Sequence, residues 1–434
     1  MARLSPASAR IFQEALGFVP GGVMSSARKM VPPLVFREAR GAQLVDAGGC
    51  RYLDYHGAFG AVLLGHNHPL VNARVREALE AGAPLAGAGA TELEVEVARK
   101  IHLHVPCAEK VLLCNSGSEA VLHAVRVARA FTRRKKIIKF RGCYHGVHDS
   151  VLRQGGGSAA GKLDSGSAGI LPEVAENTLE CEFNDLDSVE RTLAAQGNRV
   201  AAIIVEPVAH NMGCVLPRPG FLQGLRELSR ARECLLIFDE VITGFRHHLG
   251  GYQAICGIKP DLATLGKAMA NGFPLAAVCG RAEIMDHFNT QDGGDTYFAG
   301  TFNGNAVGCA AALATIDVLE REPVHQHVFR LGERLRKGLR EIHTRLETGA
   351  SVAGFGSVFL TYFAPGPIEN YNDALRNDSA LFVEYRRGLG ERGIFKMPVN
   401  LKRAHVGYSH TDEDTERLLA AAEDVLKSSG HRVT

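Results

Sequence analysis

The apolar run LLIFDEVITGF, residues 235–245, carries two adjacent carboxylates, Asp239 and Glu240, where a strand would end. An acid at the end of a buried strand needs a cationic partner or water. Lys267 stands 28 residues further on, following the apolar run LATLG at 262–266. An ammonium there must also be paired or desolvated. A third run, KVLLC at 110–114, passes through the small residues NSGS into the helical pattern EAVLHAVRVARAF. Backbone N–H groups and hydroxyls at a helix start favour an anion. Taken singly, each has a plain structural reading: an N-cap serine, a lysine snorkelling to a sheet edge, an acid in an ion pair. Together, an anion cradle, an acid and a lysine at the strand ends of one sheet meet the needs of pyridoxal phosphate. Its phosphate takes the cradle, its aldehyde the lysine and its ring nitrogen the acid.

The elements that must position these groups alternate short β-rich runs with helical patterns, which predicts parallel βαβ units. Strands are expected at 110–114, 135–140, 200–206, 234–239, 262–266 and 276–280, with helices over 118–131 and 219–232. Ligands of such sheets bind outside the carboxyl ends of the strands. The basic cluster Arg133, Arg134, Lys135 and Lys136 follows a helix and is read as its C-terminal cap. Near the start, GAQLVDAGGCRYLDY reads as a strand pair with DAGG as its turn. After about residue 306 the character changes to long helices, then short strands near GSVFLTYF. The expected division is 1–66, an N-terminal segment serving the small domain and dimer contacts; 67–306, the large cofactor-binding domain; and 307–434, the C-terminal small domain. The Gly/Ser-rich stretch 155–169 reads equally as a surface loop or as a lid over a site.

Composition excludes several classes. The chain has 434 residues, 46% hydrophobic and 22% charged, with 49 basic residues against 47 acidic ones in no long single-sign block. Neither a nucleic-acid nor a membrane partner is expected. Ten cysteines stand singly, without a C-x-x-C pair, and the N-terminal residues lack the continuous apolar region of a secretory signal. Reduced thiols in a cytoplasmic enzyme are expected. The pairs His66/His68, His145/His148 and His247/His248 lack further ligands at recognisable spacing, so no metal is expected. They read as turn, loop and supporting residues.

The motifs LLIFDEVITGFR, TLGKAMANGFPLAAVCGR and AGTFNGN, with PGGVMSSAR, LGHNHPLV, GCYHGVHD, IIVEPVAHNMG and HTDED, resemble the class III aminotransferases of the fold-type I pyridoxal phosphate enzymes. Within the class the chain looks most like glutamate-1-semialdehyde aminomutase and the D-phenylglycine aminotransferase type. The resemblance implies an α/β fold with a mostly parallel central sheet flanked by helices, plus a smaller α+β domain. It implies Lys267 as the Schiff-base lysine and proton shuttle, Asp239 at the ring nitrogen, and Val241 and Tyr144 on the two ring faces. It also implies Gly117 and Ser118 at the phosphate and Asn211 near the phenolic oxygen. Thr301 would reach the phosphate of a neighbouring subunit in a homodimer, and Arg28 would hold a substrate carboxylate. Glu206 reads as a supporting acid or as a plain ion pair.

Two positions depart from the aminomutase pattern. Eight residues before the histidine of HTDED that family has glutamate, where this chain has Lys402, and its AGNM reads AHNM here, with His210 for glycine. An aminotransferase working between an amino acid, alpha or beta, and a keto acid or aldehyde is therefore expected. Intramolecular transfer is the alternative and racemisation the third reading.

Overall fold

The computed structural model describes residues 5–87, 89–153 and 166–429. Seven strands form its main sheet: β1 Lys110–Cys114, β2 Lys136–Phe140, β3 Thr178–Cys181, β4 Val200–Val205, β5 Leu235–Asp239, β6 Leu262–Leu265 and β7 Ala276–Gly280. Their order is β1-β7-β6-β5-β4-β2-β3. β7 runs antiparallel to both neighbours, and every other pair is parallel. β4 to β7 are buried at every residue, which explains why their sequences are continuous apolar runs without alternation. β3 was not expected. Its four residues, TLEC, pair only with β2 at the sheet edge and are too short to show a period.

Helix Gly117–Thr132 follows β1 and buries Ala120, Val121, Ala124, Val125 and Ala128, a face repeating every three or four residues. It ends at Arg133 in the left-handed conformation, where the basic cluster begins. Helix Phe221–Ala231 crosses from β4 to β5 and buries Phe221, Leu222 and Leu225. Helix Ala306–Arg321 packs against two earlier helices, Pro69–Glu80 and Glu92–His104.

Two small sheets complete the chain. Strands Phe36–Arg40, Gln43–Asp46 and Arg51–Asp54 form an antiparallel meander that Ile394–Phe395 joins in parallel. The expected DAGG turn is closed by Asp46 Oδ1, which accepts from the N–H groups of Gly48 and Cys50. Ser351–Phe355, Val358–Tyr362 and Ala404–His405 form the other sheet. Of the stretch 155–169, residues 155–165 lie outside the described residues. No helix among the described residues is long and apolar enough to cross a membrane.

The adjacent carboxylates of β5 part company. Glu240 turns into the interior, with no exposure, and meets no cation among the described residues. It accepts from the N–H groups of Tyr252 and Gln253, the Gln253 amide and the Thr243 hydroxyl. Burial still raises its pKa. Removing this acceptor strands several buried donors, so Glu240→Ala is expected to destabilise the protein by about 3 kcal/mol or more. Glu240→Gln should cost less, and the urea-unfolding midpoints of the three proteins check the ranking.

Candidate active site

The carboxyl ends of β1, β5 and β6 open on one cavity of about 260 Å³. Asn115 to Ser118, Tyr144, Glu206, Asn211, Asp239, Val241 and Lys267 all line it. Seven of the nine residues to which the resemblance gave a cofactor or substrate role therefore meet at one place: Gly117, Ser118, Tyr144, Asn211, Asp239, Val241 and Lys267. Arg28 and Thr301 do not. Arg28 ends a short turn, Ser26–Arg28, and is exposed. Thr301 is also exposed, near the outward Tyr297 and Phe302.

The anion cradle is built by the first turn of helix Gly117–Thr132. Ser116 caps it, its Oγ accepting from Glu119 N at 3.3 Å. A Cβ on Gly117 would stand 2.8 Å from Val241 Cγ1, and one on Gly146 would stand 2.7 Å from Ser118 Oγ. Gly146 also has a positive φ, so glycine is required there twice over. Ser118 Oγ accepts from Val147 N, which ties the loop after β2 to the helix start.

Asp239 is held from three sides. Its Oδ2 lies 2.7 Å from His145 Nδ1, and its Oδ1 accepts from Thr264 Oγ1 and Val241 N, both at 3.1 Å. His145 Nε2 is buried without a partner. The sequence placed this histidine only among supporting residues; its contact with Asp239 depends on where the loop after β2 folds back over β5. Burial and the nearby Asp239 raise the Tyr144 phenol.

Lys267 follows Gly266 at a φ of +46°, a left-handed conformation that is strained for a lysine. Burial is the main reason that its amine falls from the ordinary lysine value to about 8. The positive charges of Arg403 and Arg246 act in the same direction, and Asp239 and Glu206 oppose it.

Glu206 makes no ion pair among the described residues. It accepts from Tyr144 N at 2.8 Å, Asn211 Nδ2 at 2.9 Å and His210 N at 3.0 Å. Burial raises its pKa. The His210 ring, the departure from glycine noted above, turns to His247, with 3.1 Å between their Nε2 atoms.

Sequence reasoning missed two buried arginines behind this wall. Arg246 donates to the Gly60 carbonyl, the Ser357 hydroxyl and the Val406 carbonyl. Arg403 donates to the Phe59 and His210 carbonyls, Asn211 and His405. The two carbonyls at 59 and 60 belong to a turn in which Gly57, Ala58, Phe59 and Gly60 all have positive φ. The trace of Arg403 in the sequence is the pair Lys402 and Arg403 just before the two-residue strand Ala404–His405. Among the described residues, no group of three or more His, Cys, Asp or Glu is arranged to hold a metal ion.

An anion cradle, a carboxylate braced by three donors and a desolvated amine, all on one cavity, fit the phosphate, ring nitrogen and aldehyde of pyridoxal phosphate. The mostly parallel seven-stranded sheet that carries them is that of the fold-type I enzymes of this cofactor. The family description Aminotransferase class-III matches residues 24–389, and the chain belongs to that family. It is 41% identical over 424 residues to a glutamate-1-semialdehyde 2,1-aminomutase of Desulforudis audaxviator (strain MP104C), covering 97% of each chain. Among solved structures it is similar to an omega-transaminase from Sphaerobacter thermophilus, at 32% identity and a TM-score of 0.91 over 98% of each chain. A transaminase with PLP bound gives 27% identity and a TM-score of 0.90, again over 98% of each chain.

A lysine lowered to about 8 is protonated and inert below that pH and a free nucleophile above it. Capture of pyridoxal phosphate by the cofactor-free protein, trapped with borohydride, should therefore rise steeply between about pH 7 and 9. An ordinary lysine would delay that rise by about two pH units. Lys267→Ala should remove the trapped adduct, and peptide mass spectrometry locates it.

Proposed function

We propose that this chain is a pyridoxal phosphate enzyme that moves an amino group between two separate molecules, a carboxylate-bearing alpha- or beta-amino acid and a keto acid or aldehyde. The observation that carries the reading is the pairing of the Lys267 amine and the Asp239 carboxylate on one cavity beside the Ser116–Ser118 cradle. When bound, the cofactor supplies an aldehyde that captures amines and a ring that takes up the electrons released at the substrate carbon.

The chain's own residues do the rest. Lys267, as a neutral amine, takes a proton from the substrate carbon and returns it, which a protonated lysine cannot do. Asp239, braced in place by His145, Thr264 and the Val241 N–H, would pair with the ring nitrogen. Tyr144 and Val241 are assigned to the ring faces, Gly117 and Ser118 to the phosphate, and Asn211 to the phenolic oxygen. Thr301 is assigned to the phosphate of a second copy's site in a homodimer, and Arg28 to the substrate carboxylate. The free cysteines, eight of them buried, support a cytoplasmic setting.

Lys402 and His210 favour transfer between molecules. The full-length relative at 41% identity favours a second reading, amino transfer within one molecule of glutamate-1-semialdehyde. Stoichiometry separates them. With an amino donor and no acceptor, a transferase releases one keto product per site and stops. A mutase turns over glutamate-1-semialdehyde repeatedly with no second substrate. Multiple turnovers under that condition would replace the first reading by the second. Arg28→Ala should raise KM for the carboxylate-bearing substrate about tenfold or more with a smaller effect on kcat.

A further inference from the structure

Arg403 is 4% exposed and does not line the cavity. Its guanidinium is bound by four neutral acceptors. Nε donates to His405 Nε2 at 3.3 Å, Nη1 to the His210 carbonyl at 3.3 Å and Asn211 Oδ1 at 3.2 Å, and Nη2 to the Phe59 carbonyl at 3.1 Å. His405 is held neutral by burial and by the surrounding arginines. No ion pair engages Arg403 among the described residues. Burial lowers the Arg403 guanidinium to about 10, with the nearby Glu206 opposing that shift, so near pH 8 it still carries its positive charge.

The contacts also decide which way Asn211 faces. Because Arg403 takes the amide oxygen, the Asn211 NH₂ is left to donate to Glu206 Oε1 at 2.9 Å. Glu206 Oε2 accepts from His210 N, and the His210 carbonyl returns to Arg403. Arg403, Asn211, Glu206 and His210 therefore form a closed ring, with Asn211 and Glu206 presented at the cavity wall. The charged and titratable groups facing the Lys267 amine are Asp239 and Glu206, which attract its proton, and Arg246, Arg403 and the neutral His210, which do not.

We propose that Arg403 is a positioning residue that sets the orientation of Asn211 and Glu206 at the cavity wall and stations its positive charge directly behind the wall they share with Lys267. This rests on the reading of Lys267 as the lysine that captures the cofactor. Arg403 touches neither the substrate nor the cofactor; it acts through the groups it holds and through its charge.

The test uses the full-length protein freed of cofactor, with pyridoxal phosphate as the probe and borohydride trapping at Lys267 followed from pH 6 to 11. Wild type should show a midpoint near 8. Arg403→Met should move it upward by about one unit or more, a roughly fivefold or greater loss of trapping rate at pH 8. Arg403→Lys, which keeps the charge, should stay close to wild type. Asn211→Ala should weaken cofactor retention in wild type but add little in Arg403→Met or Arg403→Lys, because the clamp on Asn211 is already lost. An unchanged midpoint in Arg403→Met overturns the charge role, and full additivity with Asn211→Ala overturns the positioning role. If Arg403→Met does not fold, as judged by circular dichroism, the additivity test in Arg403→Lys decides. Absence of trapping at Lys267 in wild type would instead sink the cofactor reading itself.

Discussion

The site depends on weakening the proton affinity of one amine that stands beside two carboxylates. Asp239 and Glu206 would ordinarily hold a neighbouring lysine protonated, and a protonated lysine can neither attack an aldehyde nor take up a proton. The fold answers by burial at a strand end, by surrounding both carboxylates with hydrogen-bond donors of their own, and by placing two guanidinium groups nearby. Every feature of the wall follows from that balance. His145 and Thr264 occupy lone pairs of Asp239 that would otherwise seek the lysine, and Tyr144 N, His210 N and Asn211 do the same for Glu206.

The cations have a cost of their own. Two buried guanidinium groups that make no ion pair among the described residues must be satisfied by dipoles, and the carbonyls of Phe59 and Gly60 reach them from the turn Gly57–Gly60, which is left-handed throughout. Glycine adopts that conformation freely, but Ala58 and Phe59 pay a steric penalty of about 1–2 kcal/mol each. Two arginine forks, each spanning several chain segments, over-determine the strained turn and hold it in place.

What could be read from the sequence was whatever happens at the junction between an apolar run and its punctuating small residues. Lys267 after LATLG, Asp239 at the end of LLIF and Gly117 after KVLLC are such junctions, and the parallel sheet that gathers them follows from the βαβ alternation. Six of the seven strands were legible for the same reason. What escaped depends on contacts between segments far apart in the chain: the His145 to Asp239 bond across 94 residues, the Arg403 to Phe59 bond across 344, and the edge strand Thr178–Cys181. Glu240 illustrates the limit, since nothing in DEV says that one carboxylate faces a cavity and its neighbour faces the backbone of a short helix. Arg28 and Thr301, assigned through resemblance, lie on the surface of a single chain, where no periodicity could have announced a role.

The small sheet that joins Arg51–Asp54 to Ile394–Phe395 unites the beginning of the chain with a segment close to its end. During synthesis the first strands leave the ribosome more than three hundred residues before the strand that completes their sheet. At typical elongation rates that interval is roughly 20–70 seconds. The meander keeps an open edge until Ile394–Phe395 emerges, so its closure can come only after every strand of the cofactor-binding sheet has been synthesised.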